Sequence, residues 1–212
     1  IDKPGVLEKF EKAWDTKLNP NIGTKATDCF PKMISGDIKG LFIFGEDPVR
    51  TDPNTHHVIK SLESLDFFAI DELFMTETAK LADVILPGRS YAEKEGTFSN
   101  TERRVQRVRK AVEIEGDTKP DTWIFTEIMR RMGYPQPHLT PAQIMDEIAS
   151  VTPSFAGISH ERLDSEEVNG QGLQWPYIKR SPWNTNYARR KICKRSWIFQ
   201  TSCIHTFYGA SR

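Results

Sequence analysis

Cysteine is scarce in this sequence. Cys29, Cys193 and Cys203 are the only three in 212 residues, and no two are spaced as CxxC. Iron–sulfur clusters and structural zinc sites need about four clustered ligands, so these thiols supply neither. They give no support to a disulfide framework either. Net charge is missing too. Lys plus Arg and Asp plus Glu both number 29, which leaves no whole-molecule field to draw nucleic acid or an acidic membrane. No run approaches the roughly 20 apolar residues of a membrane helix. The chain opens IDKPGVLEKFEKAWD, without an initiator Met or a basic-then-apolar leader. It reads as entered in the middle, an internal fragment, and a cytoplasmic location is the default expectation. What remains is an ordinary globular composition, long enough for one domain with a real core.

The apolar pattern supplies the elements. VLEKFEKAW, from Val6 to Trp14, has helical spacing, and Gly23 and Pro31 are expected to break the chain after it. KGLFIF at 39–44 is a short apolar run between polar turns, as in a buried strand. The loop EDPVRTDPN comes next, and Asn54 can cap a helix running to about Leu65. Phe67 to Ile70 reads as a second strand, Thr76 to Leu81 as a short helix, and VILP from Val84 as a third strand. This alternation predicts an α/β fold, a parallel sheet flanked by helices. Right-handed crossovers would put a ligand crevice at the strands' carboxyl ends. Further on, 101–112 reads as extended, Pro120 to Met132 as an amphipathic helix and Pro141 to Ala149 as another.

The loop after the first strand carries Gly45, Glu46, Asp47 and Thr51. Glycine lets a ligand approach the backbone closely, but two carboxylates would repel a phosphate. They suit the donor edge of a base or paired ribose hydroxyls. The same residues also make a solvated turn ahead of an Asn cap. The run Arg103, Arg104, Arg107, Arg109 and Lys110 invites a phosphate or RNA reading. It lacks the interleaved aromatics that stack on bases. A solvated strand face paired with Glu93, Glu95 or Glu102 explains it as well. His56 and His57 lie at a helix start without metal-ligand spacing.

One family joins these segments. GEDP-x3-DPN, FMTETAKLADVILPG, AEKEGTFSNTERRVQRVRKAV, KPDTW and MGYP, with the looser SFAGISHERL and LQWP, resemble the molybdopterin oxidoreductases, and formate dehydrogenase large subunits in particular. The resemblance spans roughly residues 1–176 and is densest over 43–133. It implies a partial dinucleotide-binding-like domain over 1–150 that holds a molybdopterin guanine dinucleotide with molybdenum or tungsten. Residues 151–176 would be a linker toward a further domain. Gly45, Glu46, Asp47 and Thr51 would line the nucleotide end, and Asp121 of KPDTW would meet the guanine, whose two adjacent N–H donors match one carboxylate. Asp121 read without the family is equally a helix cap. The chain departs from the pattern at Asp71-Glu72-Leu73, where relatives have Gln-Asp.

The resemblance also implies what lies outside this segment: the metal ligand, the assisting His and Arg, and a 4Fe-4S cluster. No catalytic or metal-ligating residue is therefore assigned here. Formate would be the intact enzyme's substrate, and the remaining domains and electron-transfer subunits its partners. No nucleic acid partner and no membrane-spanning segment are expected. Other readings are a nitrate reductase or complex I type of relative, or a nucleotide-binding module without redox chemistry.

After Trp175-Pro176 the character changes. Residues 177–212 are basic, Trp-rich and contain no acid. Read one base later, permissible codons for 181–205 spell the continuation expected of relatives, and the TGG codons of Trp183 and Trp197 both fall on expected glycines. The tail is thus expected to be frameshifted and irregular. A natural basic tail that binds a partner is the alternative.

Overall fold

The protein is described by a computed structural model covering residues 5–113 and 116–177. All of the tail after Tyr177 lies outside the described residues. Two compact units divide the chain, and each is interleaved in sequence.

In the first unit, residues 21–90 and 116–136, the alternation in β1 (Gly40–Phe44) decides the layering. Leu41 and Ile43 are buried on one face, while Phe42 and Phe44 point the other way. Against Leu41 and Ile43 pack Cys29 and Met33 of helix α2 (Ala26–Ile34) and Val58 and Leu62 of a second helix, Thr55–Glu63. On the opposite face, Phe125 meets the rings of Phe42 and Phe44 edge-on, with centroids 5.8 Å and 5.1 Å away. Phe125 belongs to the helix Asp121–Arg131. Counting α1 (Val6–Trp14) and the one-turn helix α3 (Pro48–Thr51), these two are α4 and α5. Strands β2 (Phe67–Glu72) and β3 (Val84–Pro87) extend the sheet in the order β1-β2-β3, all parallel. The α/β fold with helices on both sheet faces is the one the sequence predicts. At about 1.5–3 kcal/mol for each fully buried aliphatic or aromatic side chain, residues such as Phe68 and Ile70 dominate its stability.

Pro31 does not break the chain; it sits inside α2. Burial of Cys29 and Met33 on either side of it outweighs the hydrogen bond its missing N–H removes. The loop after β1 also holds more structure than expected. Pro48 occupies the first turn of α3, where an N–H has no helical partner anyway. Asn54 caps α4 as predicted, its Oδ1 accepting from the His57 amide at 3.2 Å.

The second unit, residues 5–20, 91–113 and 137–177, is built on an antiparallel sheet. Strand β4 (Gly96–Ser99) turns into β5 (Arg104–Val108), and β6 (Leu173–Gln174) pairs on β5's other side. Helix α6 (Pro141–Val151) is fixed by a reciprocal capping box between Thr140 and Gln143. Met145 on it joins Val105, Ile158, Leu163 and Leu173 in the core. The stretch 151–176, expected to be a linker, carries structure of its own: helix α7 (His160–Leu163) and β6, pinned by buried Ile158, Leu163 and Leu173. Their spacing follows no single period, so periodicity alone misses them. No helix among the described residues is long and apolar enough to cross a membrane.

Candidate site at the carboxyl rim of the parallel sheet

Parallel pairing brings the ends of β1, β2 and β3 to one edge. The chain leaves β1 at Gly45, whose amide donates to the Asp71 carbonyl of β2 at 2.9 Å. Gly45 has φ +60°, a left-handed conformation that costs glycine little, and it is exposed. Beyond β3, the Gly88 amide donates to the Glu72 carbonyl at 3.2 Å. The segment leading into α5 docks on the same end: the Lys119 amide donates to the Pro87 carbonyl and Arg89 Nε to the Thr118 carbonyl, each at 3.2 Å. Asp121, the first residue of α5, is thereby delivered to the rim. These three strands show no reversal of order, so topology alone marks no crevice; what distinguishes this end is the arrival of α5.

The five residues selected from sequence meet different fates. Gly45 and Asp121 come to the same rim. Asp47 turns inward: its Oδ1 accepts from the amide of Thr78 at 3.2 Å and from its hydroxyl at 2.5 Å. The Thr78 hydroxyl in turn accepts from the Val49 amide at 3.1 Å, and Thr78 is fully buried. Asp47 therefore fastens α3 to the turn before β3. Thr51 is exposed, and its hydroxyl donates back to the Asp47 carbonyl at 3.2 Å. Glu46 is partly buried beside them.

Sequence reasoning did not select Asp71. It ends the buried part of β2, with 2% of its surface exposed. Its place follows from Gly88. A Cβ on that glycine would lie 2.5 Å from Asp71 Oδ1 and 3.3 Å from Asp121 Oδ1, so both carboxyl groups converge over one backbone position. An Asp as the fifth residue of an apolar strand was the available signal. Glu72 uses an oxygen locally, accepting from the Leu73 amide at 2.7 Å.

The arginine run belongs to the second unit, and Arg104, Arg107 and Arg109 form ion pairs there. Arg107 Nε donates to both oxygens of Asp164 at 3.2 Å, and an Nη of Arg109 donates to Asp164 Oδ1 at 2.5 Å. Arg104 pairs with Glu102 at 3.4 Å, one of the partners expected. A cavity of about 240 Å³ opens beside the Asp164 cluster, and none of the residues selected for the nucleotide lines it. His160 stands 3.4 Å from Arg107, and its pKa is lowered, mainly by burial and then by the Arg107 charge. Among the described residues, no group of three or more His, Cys, Asp or Glu is placed to hold a metal ion.

A family model described as molybdopterin oxidoreductase matches residues 11–131. The alpha subunits of two F420-dependent formate dehydrogenases from Methanococcus maripaludis, the first and the second, are 42% identical over 177 residues and 46% over 174. The matches cover 82% and 81% of this chain and 25% of each relative. A putative formate dehydrogenase from Staphylococcus haemolyticus is 44% identical over 171 residues, covering 81% of this chain and 17% of its own. Among solved structures, acetylene hydratase from Pelobacter acetylenicus superposes with a TM-score of 0.55 at 23% identity. That match covers 84% of this chain and 24% of the hydratase, and it speaks to the fold. The chain thus spans about a quarter or less of its relatives' length.

Proposed function

The chain belongs to the molybdopterin oxidoreductase family, and on that premise we propose that it is part of a formate dehydrogenase catalytic subunit and holds the guanine dinucleotide end of the cofactor. The observation that carries the reading is the delivery of Asp121 to the same carboxyl rim at which the exposed backbone of Gly45 leaves β1. The donor set fits a base better than a pyrophosphate, because carboxylates accept hydrogen bonds and repel phosphate oxygens. Asp121 would accept from the two adjacent N–H groups of guanine. Gly45 would let the nucleotide lie against bare backbone, with Glu46 and Thr51 at its flank. Asp47 would act one step back, by fixing α3 and hence the loop that presents those groups.

When bound, the molybdopterin group, carrying molybdenum or tungsten, supplies the redox chemistry that takes formate to carbon dioxide; this chain's residues bind and orient its far end. The metal ligand, the 4Fe-4S cluster and the electron-transfer partners would belong to the rest of a longer polypeptide and its associated subunits. On the same reading, residues 177–212 are translated out of frame. Wobble bases in the encoding DNA that are incompatible with the second reading would dispose of that point.

Titration of GDP against the whole chain and its Asp121→Ala variant tests the assignment. Hydrogen bonds to a charged acceptor contribute about 1.5–3 kcal/mol, so affinity is expected to fall roughly 10- to 100-fold. Equal affinity of the parent and the variant would remove Asp121 from the site.

A further inference from the structure

Arg107 keeps only 12% of its side chain in solvent, and from β5 it joins three other pieces of the second unit. Its Nε donates to Asp164 at 3.2 Å, and its Nη1 reaches the Gly96 carbonyl of β4 at 3.2 Å and His160 Nε2 of α7 at 3.4 Å. A guanidinium carries donors only and keeps its charge. The contact with His160 is therefore a hydrogen bond only where Nε2 offers a lone pair, which puts the neutral ring's proton on Nδ1. A protonated ring has an N–H at both nitrogens. The same contact then sets donor against donor and cation against cation.

We propose that His160 is a pH-sensitive latch on α7, closed by the hydrogen bond from Arg107 to Nε2 and opened when Nε2 takes up a proton. Other charges also act on the ring: Asp164 just after α7, Asp146 on α6 and Glu95 ahead of β4. On α7 itself, Glu161 is exposed and Arg162 lies over the Tyr177 ring at 4.1 Å. The three carboxylates favour an imidazolium, yet burial first and then Arg107 hold the pKa below its ordinary value. The latch is thus closed at neutral pH and opens as pH falls through that lowered value. A displaced ring has those carboxylates to turn toward, while Arg107 keeps Asp164 and the Gly96 carbonyl. Leu163, 2% exposed in the core, still anchors the far end of this one-turn helix. Opening therefore loosens α7 and the turn after it without unfolding the unit, and it is independent of the guanine reading.

Two measurements on the whole chain test this. Nitrogen NMR of the His160 ring at neutral pH should show the Nδ1–H tautomer, with a titration midpoint below about 6.5. Arg107→Gln should raise that midpoint. The second measurement is amide-exchange protection, corrected for the intrinsic rate, at Leu163, Asp164 and Ser165, whose N–H groups close the turn. In the parent it should fall several-fold as pH drops through the His160 midpoint, while β1 stays protected. His160→Gln, whose amide oxygen can accept from Arg107 at any pH, should keep it level. An Nε2–H ring at neutral pH overturns the proposal, and this is read on the parent alone, so it decides the matter even if a variant fails to fold. Protection that holds in the parent, or falls equally in His160→Gln, overturns it too.

Discussion

Asp47 shows how little a residue's type says about its direction. In the sequence it is one of two carboxylates in a glycine-led loop, equally suited to a ligand or to solvent. In the structure its Oδ1 takes both donors of Thr78, 31 residues further on, and Thr78 holds Val49. Nothing in the local pattern encodes a partner so distant. Removing either end strands a buried polar group, at a cost of about 1–3 kcal/mol. Asp47→Ala and Thr78→Val should therefore each lower the urea midpoint of unfolding. The double variant should lose clearly less than the two losses added, because both break one network. Full additivity would mean the bonds do not act together. The place of Asp121 at a helix start was legible for the opposite reason, since Pro120 and the apolar spacing beyond it are local, whereas its role toward guanine came only from the family resemblance. Asp71 was not selected, since its importance lies in what Gly88 leaves open 17 positions later, which only the fold brings alongside.

At the scale of elements, what was legible followed from period. β1, β2 and β3 are apolar runs, α1, α4, α5 and α6 have 3.6-residue spacing, and each begins or ends close to where the sequence places it. The antiparallel sheet was half seen. β5 reads as extended, but β4 and β6 are short, carry few apolar residues and depend on pairing to exist. Gly172 governs that pairing. It has φ +76°, and a Cβ there would lie 2.4 Å from the Val105 carbonyl. Gly172→Ala is expected to destabilise this unit by at least about 2 kcal/mol, from backbone strain and collision with a strand that cannot yield. Amide exchange in 104–108 should accelerate, and unchanged protection there would show that β6 is dispensable. The same sheet carries a pH dependence. Burial first and Arg107 second depress the pKa of His160, so the folded state favours the neutral ring. Its contribution is fully present above the ordinary value of about 6.5 and is lost as pH falls through the lower folded value. In urea titrations below about pH 6.5, His160→Gln should lose stability more slowly with acidification than the parent. Parallel slopes would assign the acid response to other groups.

For the whole molecule, the informative feature is apolar surface left in water. Single exposed hydrophobic residues are ordinary, but Leu73, Phe74 and Met75 are consecutive and 47%, 76% and 63% exposed, directly after β2 at the rim. A run of this kind is an association surface unless something covers it. The relatives are about four times as long as the matched segment, so on the proposed reading the rest of such a polypeptide would cover it. The sequence shows the run, and ends the strand before it at Ile70, but it does not show the run's exposure, because an apolar stretch after a strand can equally be packed under a following helix. Replacing Phe74 and Met75 together with Gln should suppress concentration-dependent light scattering of the chain. The thermal midpoint should stay within a degree or two, since surface substitutions generally shift stability by under about 0.5 kcal/mol. If the midpoint falls by what a buried pair would cost, about 4 kcal/mol or more, these side chains are packed in solution and the surface belongs to the protein's own core. Unchanged scattering with an unchanged midpoint would instead put the association elsewhere, with exposed Ile22 and Met132 the next residues to replace.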